Sequence, residues 1–172
     1  MKRILLLAPL ALLLSQPSRL QAAPRRPPVG WKSFDGPLFS VYYPAKWKAQ
    51  SGKSSQDAAL FSSPTGSAQF AVYSPQWNGE PTDLNFNAHR ERRISCRVQK
   101  SRAHDAANSQ LVSRWQTFAA LDHSYTRSIV DVENVTLNTR RVFGFRYKNA
   151  AAYQKFLPTF KVFKASLEQY SD

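Results

Sequence analysis

The sequence predicts an α+β protein in which an antiparallel sheet is built first and a long amphipathic helix comes last. Three observations carry this expectation. Apolar residues alternate at strand period through Phe39–Tyr73 and again through Ile94–Tyr147, and the period then turns helical from Tyr153 to Leu167. Of the 172 residues, the 150 that follow Ala22 suit one domain with one core.

The first 22 residues read as a signal peptide. Lys2 and Arg3 form a positive start, Ile4–Leu14 is an apolar run too short to span a bilayer, and Gln16–Ala22 is the approach to a cleavage site. No later segment is apolar for long enough to cross a membrane. Residues 23–30, APRRPPVG, form an extended Pro/Arg-rich tail, and residues 31–172 form the folded domain.

Trp31–Asp35 and Phe39–Tyr43 are predicted as strands around the turn Asp35-Gly36-Pro37. Pro44 stops the second strand, and Trp47 follows as an aromatic plug at the sheet rim. Lys48–Gln56 is polar and loop-like. Ala58–Ser62 and Ala68–Tyr73 make a hairpin about Ser63-Pro64-Thr65-Gly66, where glycine supplies the left-handed residue. Ser74–Thr82 is a second loop, with two prolines and a glycine. Asp83–Arg92 is expected to be a helix capped near Thr82 or Asp83.

Ile94, Cys96 and Val98 then alternate with Ser95, Arg97 and Gln99, the pattern of a half-buried strand with one wet side. Ser101–Asn108 is a loop. Gln110–Leu121, Tyr125–Glu133 and Thr139–Tyr147 follow, joined by the tight connection Asp122-His123 and the turn Asn134–Asn138. Four strands with short links predict an antiparallel meander. The closing stripe Tyr153, Phe156, Leu157, Phe160, Phe163 and Leu167 packs a helix on the sheet, with Pro158 kinking it or opening its second half.

The order F-x-V-x-Y-P-x-x-W (Phe39–Trp47), a strand, S-P-T-G and a further strand resembles the PsbP-like superfamily. So does D-H-S-Y-x-R (Asp122–Arg127), followed by a strand and a helix ending in FKASLEQY. That superfamily holds the extrinsic PsbP proteins of photosystem II, bacterial envelope proteins of the DcrB type and a Ran-binding nuclear-import factor. The resemblance covers most of Trp31–Tyr170 and departs from the pattern over Asp83–Asn108. It implies an antiparallel sheet flanked by helices, an α/β/α sandwich, in proteins that dock onto larger assemblies without a shared catalytic centre. It carries over no docking or metal-binding residue, so a photosynthetic role does not follow.

Cys96 is the only cysteine, so the exported chain has no internal disulfide, and its place between Ile94 and Val98 predicts burial as a small hydrophobe. Removing the leader takes away Lys2, Arg3 and Arg19 and lowers the net charge from +13 to +10. Such a charge attracts anionic surfaces over the range of salt screening.

Catalytic chemistry finds little to work with. His89, His104 and His123, with Cys96, Asp105 and Asp122, lack metal-ligand spacing. Asp122-His123-Ser124 are neighbours in a turn and point apart, so they form no proton relay. Glycines are scattered, which excludes a phosphate-cradling loop, and Glu80, Asp83 and Glu91 form no acid–base pair. No catalytic residue, cofactor or metal ligand is assigned.

The cationic run His89, Arg90, Arg92, Arg93, Arg97, Lys100 and Arg102 is the candidate contact surface, with only Glu91 among it. Trp77 in the SPQWNG loop is either a rim plug over the core or a partner anchor, the plug being preferred. The expectation is an exported, non-enzymatic envelope protein, periplasmic or secreted (lumenal only in a photosynthetic source), that binds or helps assemble a partner complex. The partner is an anionic protein or membrane surface rather than nucleic acid, for which no binding motif is present. Two alternatives stand beside it. One is a module holding a small hydrophobic or anionic ligand between sheet and helix. The other is a hydrolase or metal enzyme in which His104, His123 and Cys96 converge.

Overall fold

Ten strands and one helix follow one another in the computed structural model, which describes residues 26–52, 57–79 and 84–170. Residues 1–22, expected to be a signal peptide, and residues 23–25 of the expected tail lie outside the described residues. Arg26–Gly30 of the tail are exposed, and Gly30 takes a left-handed φ of 83° at the turn into the first strand.

Strands β1 (Trp31–Asp35) and β2 (Phe39–Pro44) form the expected hairpin, joined on its other side by the short β10 (Glu168–Gln169). These three make a small sheet of their own. The larger sheet has seven strands in the order β3 (Lys48–Ser51), β4 (Ala58–Ser62), β5 (Ala68–Tyr73), β9 (Thr139–Tyr147), β8 (Thr126–Asn134), β7 (Gln110–Ala120) and β6 (Glu91–Arg102). Every pairing is antiparallel. The β4–β5 hairpin turns at Gly66, whose φ of 67° is the left-handed conformation expected there. The meander from β6 to β9 is the one the strand alternation predicts.

Register assigns the two faces. Ala59, Val72, Phe143, Val130, Trp115 and Arg97 lie in one row across β4-β5-β9-β8-β7-β6, and Leu60, Ala71, Gly144, Ile129, Gln116 and Cys96 lie in the next. The first row faces α1 (Ala150–Ala165), since Phe143 and Val72 share a core with Phe160 and Phe163 of the helix. Adjacent rings pack face or edge at 5.0 Å for Phe70–Phe160 and 5.3 Å for Phe61–Phe163. Trp47 is 8% exposed and sits 4.6 Å from Phe70 and 5.3 Å from Phe156, the plug its position predicts. Asn149 caps the helix by accepting the Ala152 N–H at 2.9 Å, and Pro158 is accommodated within one continuous helix.

On the opposite face a smaller core of Ala58, Ala71, Tyr73, Leu84, Phe118, Ile129 and Val142 lies under the segment between β5 and β6. Two guanidinium groups tie that segment down. Arg140 donates to Gly79 O at 2.8 Å, and Arg127 donates to Leu84 O at 3.0 Å and Asn85 O at 3.1 Å. α1 is the single α-helix among the described residues, and it forms a helical layer on one face of the larger sheet.

Four expectations are corrected. The helix over Asp83–Arg92 is absent from the described part of that span. Asn87 O accepts from Arg90 N at 3.0 Å and Glu91 N at 2.8 Å, one turn that is not propagated, and Glu91 already belongs to β6. Its Leu84–Asn85 carbonyls are held by Arg127, so tertiary bonds override local helical preference. Thr82 and Asp83, the expected cap, lie outside the described residues. Lys48–Ser51 is strand β3 on the sheet's far edge, where polar residues are tolerated. Strand β6 also runs on through Arg102, so the expected Ser101–Asn108 loop starts later. Lastly, Ile94, Cys96 and Val98 are exposed, because β6 ends the sheet beyond the reach of either covering layer.

A candidate docking edge

β6 is the place where most of the sequence-assigned cations meet. From Arg92 to Arg102 every residue is exposed, and only Glu91 at its start is buried. A bulge between Arg93 and Ser95 inserts Ile94 and shifts the phase of the strand. Opposite Ala119 and Trp115, Arg92 and Arg97 take the helix-side face. Arg93, Lys100 and Arg102, opposite Phe118, Val112 and Gln110, take the other. The charges therefore form a two-sided stripe. Arg90 stands just before the strand and Arg102 at its end, roughly 40 Å apart at strand rise.

None of Arg92, Arg93, Arg97, Lys100 and Arg102 forms an ion pair with a described residue, and Arg90 makes no direct one but attracts the Asp122 carboxylate. Arg97 lies over the half-exposed Trp115 ring at 5.6 Å and donates weakly to Gln99 Oε1 at 3.4 Å. The contrast with the neighbouring strands is physical. Arg114 pairs with Glu133 at 3.0 Å and Asp131 at 3.5 Å, Arg140 with Asp131 at 2.9 Å, and Arg127 with Glu91 at 2.6 Å. With 24 Lys and Arg against 11 acids, Glu91, Asp131 and Glu133 are used inside the sheet, and part of the cationic surplus lines β6.

Glu91 anchors the start of that stripe. It is 4% exposed and also accepts from the Tyr125 hydroxyl at 2.9 Å. Burial, reinforced by this bond and by the carboxylate's charge, raises the Tyr125 pKa above its ordinary 10.0. The Arg146 guanidinium covers the Tyr125 ring at 3.9 Å. Beside it a cleft of about 350 Å³ is lined by His89, Arg90, Asp122, Ser124 and Arg146. Arg146 was not among the sequence candidates. Its signal was the alternation of Thr139–Tyr147, which puts Arg146 on the face opposite Phe145.

Asp122 serves the turn, not a relay. Its carboxylate accepts from Ser124 Oγ at 2.6 Å and Ser124 N at 3.0 Å, and the Ser124 hydroxyl bond holds its pKa below the usual range. His123 takes φ 58° in the same turn. His104 lies in the β6–β7 connection, at the other end of the eleven-residue β7, so the imidazoles of His104 and His123 do not converge with Cys96. No group of three or more His, Cys, Asp or Glu among the described residues is placed to hold a metal.

Trp77 is 64% exposed, so it does not plug the core as preferred from the sequence. Its neighbour Asn78 is tied to Asn138 O and to Glu133, each at 2.9 Å, placing Trp77 at the Arg102 end of the sheet. The aromatic rings between sheet and α1 fill the space where a small ligand was envisaged. Among the described residues, no helix is long and apolar enough to cross a membrane.

The structure is similar to cyanobacterial PsbP from Synechocystis sp. PCC 6803, with a TM-score of 0.48, 9% identity and coverage of 82% of this chain and 93% of that one. It is also similar to the Ran-binding protein Mog1p of Saccharomyces cerevisiae, with a TM-score of 0.44, 7% identity and coverage of 82% and 96%. The likeness concerns fold outline alone, and no site residue is transferred through it. No family model matches the chain, and no curated protein matches it.

Proposed function

We propose that this chain is an exported, non-enzymatic docking protein that works in the cell envelope, periplasmic or secreted, and binds an anionic partner through the cationic stripe of β6. The observation that carries the reading is the contrast in pairing. Arg114, Arg127 and Arg140 are matched to carboxylates, while the five cations from Arg92 to Arg102 have none among the described residues and Arg90 has only the longer-range attraction of Asp122. Unpaired cations in a row repel one another, and an opposing anionic surface relieves that repulsion and steers encounter. The Lys2-Arg3 start and the Ile4–Leu14 run support export.

Two measurements test it. Fractionation with intact-mass analysis of the full chain should find a soluble envelope form beginning near Ala23. Mature protein should retain a partner from envelope extract at low salt, release it at high salt, and lose it in an R93S/R97S/K100S variant. Recovery of no partner at either salt overturns the reading.

A further inference from the structure

β7 pairs along one side of β6 from Glu91 to Arg102, and no described residue pairs along the other. This leaves a twelve-residue strand with an open row of backbone donors and acceptors, whereas the sheet's opposite edge, β3, has four residues. Long open edges recruit further strands unless their side chains forbid it. Here the flanking side chains are Arg92, Arg93, Arg97, Lys100 and Arg102, with exposed apolar Ile94 and Val98 between them (53% and 55% exposed). The one carboxylate on the strand, Glu91, is already held by Arg127 and Tyr125.

These residues decide which strand fits. A second copy of β6 would bring Arg and Lys against Arg and Lys, and like charges directly across a ladder are destabilising. A strand bearing Asp or Glu meets the same cations as cross-strand pairs. The device that blocks self-pairing therefore favours an acidic guest.

We propose that the open edge of β6 receives an extended acidic segment of another protein, added as an eighth strand of the sheet. Its backbone bonds to the edge, its carboxylates meet Arg93, Arg97 and Lys100, and its apolar residues cover Ile94 and Val98. This rests on the docking reading above and adds the chemistry and mode of the partner.

The test uses the mature chain and fluorescent peptides of about ten residues with a Glu-Glu-Val-Val repeat, which puts Glu and Val on both faces of the added strand. A second peptide carries N-methyl groups at alternate residues, which keep the charges and remove main-chain donors. The unmethylated peptide should bind in a salt-sensitive manner and slow amide exchange in β6. N-methylation should weaken binding at least about tenfold, as should R93S/R97S/K100S with an unchanged circular dichroism spectrum, the effect of losing three cross-strand charge pairs. Equal binding of the methylated peptide overturns the added strand and leaves the basic-surface reading standing. Failure of every acidic peptide to bind removes both. Exchange protection away from β6, or a dimer of the chain alone that N-methylated peptide cannot dissociate but unmethylated peptide can, also overturns the proposal, the latter by assigning the edge to a second copy.

Discussion

Glu91 is the residue on which the start of β6 turns. Its carboxylate is 4% exposed and is bonded to Arg127, whose own side chain holds Leu84 and Asn85, and to Tyr125. Glu91→Gln keeps the shape but strips the charge, leaving a mostly buried guanidinium uncompensated. It should cost about 3 kcal/mol in urea unfolding. The same cluster gives a pH dependence. Tyr125 has a raised pKa in the fold, so the folded state holds its phenolic proton more tightly than the unfolded chain does. The associated stability is intact below about pH 10 and is lost as pH rises through the folded value, so the urea midpoint should fall more steeply above pH 10 in the parent than in Tyr125→Phe. Cys96 supplies a third residue-scale outcome. It is exposed, so a maleimide should label it in native protein without denaturant, and slow labelling would place it under cover the described chain does not provide.

At the scale of elements, α1 closes the larger core. Phe163 is fully buried and meets Phe61, Phe70 and Phe143 at 5.3, 5.2 and 6.1 Å. Phe163→Ala should destabilise the fold by about 3–5 kcal/mol, read by thermal or urea unfolding. Pro158, exposed within the same helix, lacks the N–H that would bond one turn back. Pro158→Ala should stabilise by about 1–2 kcal/mol, the helix gain being offset in part by a freer unfolded chain. The helix, both hairpins and the meander were legible because each buries a face, and burial imprints a period on the sequence. What was not legible depended on distant groups. Ile94, Cys96 and Val98 alternate like a buried face, but period does not reveal whether another layer reaches that strand. Leu84 and Asn85, just before the turn at Asn87, are held by Arg127 far along the chain, which local capping signals could not disclose. Polar β3 lies at an edge and needs no apolar face. The cationic run was legible as charge, while the bulge at Ile94 decided that Arg92 rather than Arg93 shares a face with Arg97.

For the whole molecule, charge is distributed by a simple consequence of composition. Acids are few, and those on the strands of the meander are bound to Arg114, Arg127 and Arg140, so the terminal strand carries a row of unmatched cations. Binding through that strand should weaken with salt because its charges are exposed and screened. The most direct test of this account is site-specific photo-crosslinking in intact cells, with the reactive group placed at Val98 on β6 or at the similarly exposed Val162 on α1. The account predicts a discrete adduct with an acidic envelope protein from position 98 and none from position 162. Adducts from 162 alone, or no adduct from 98, would contradict it.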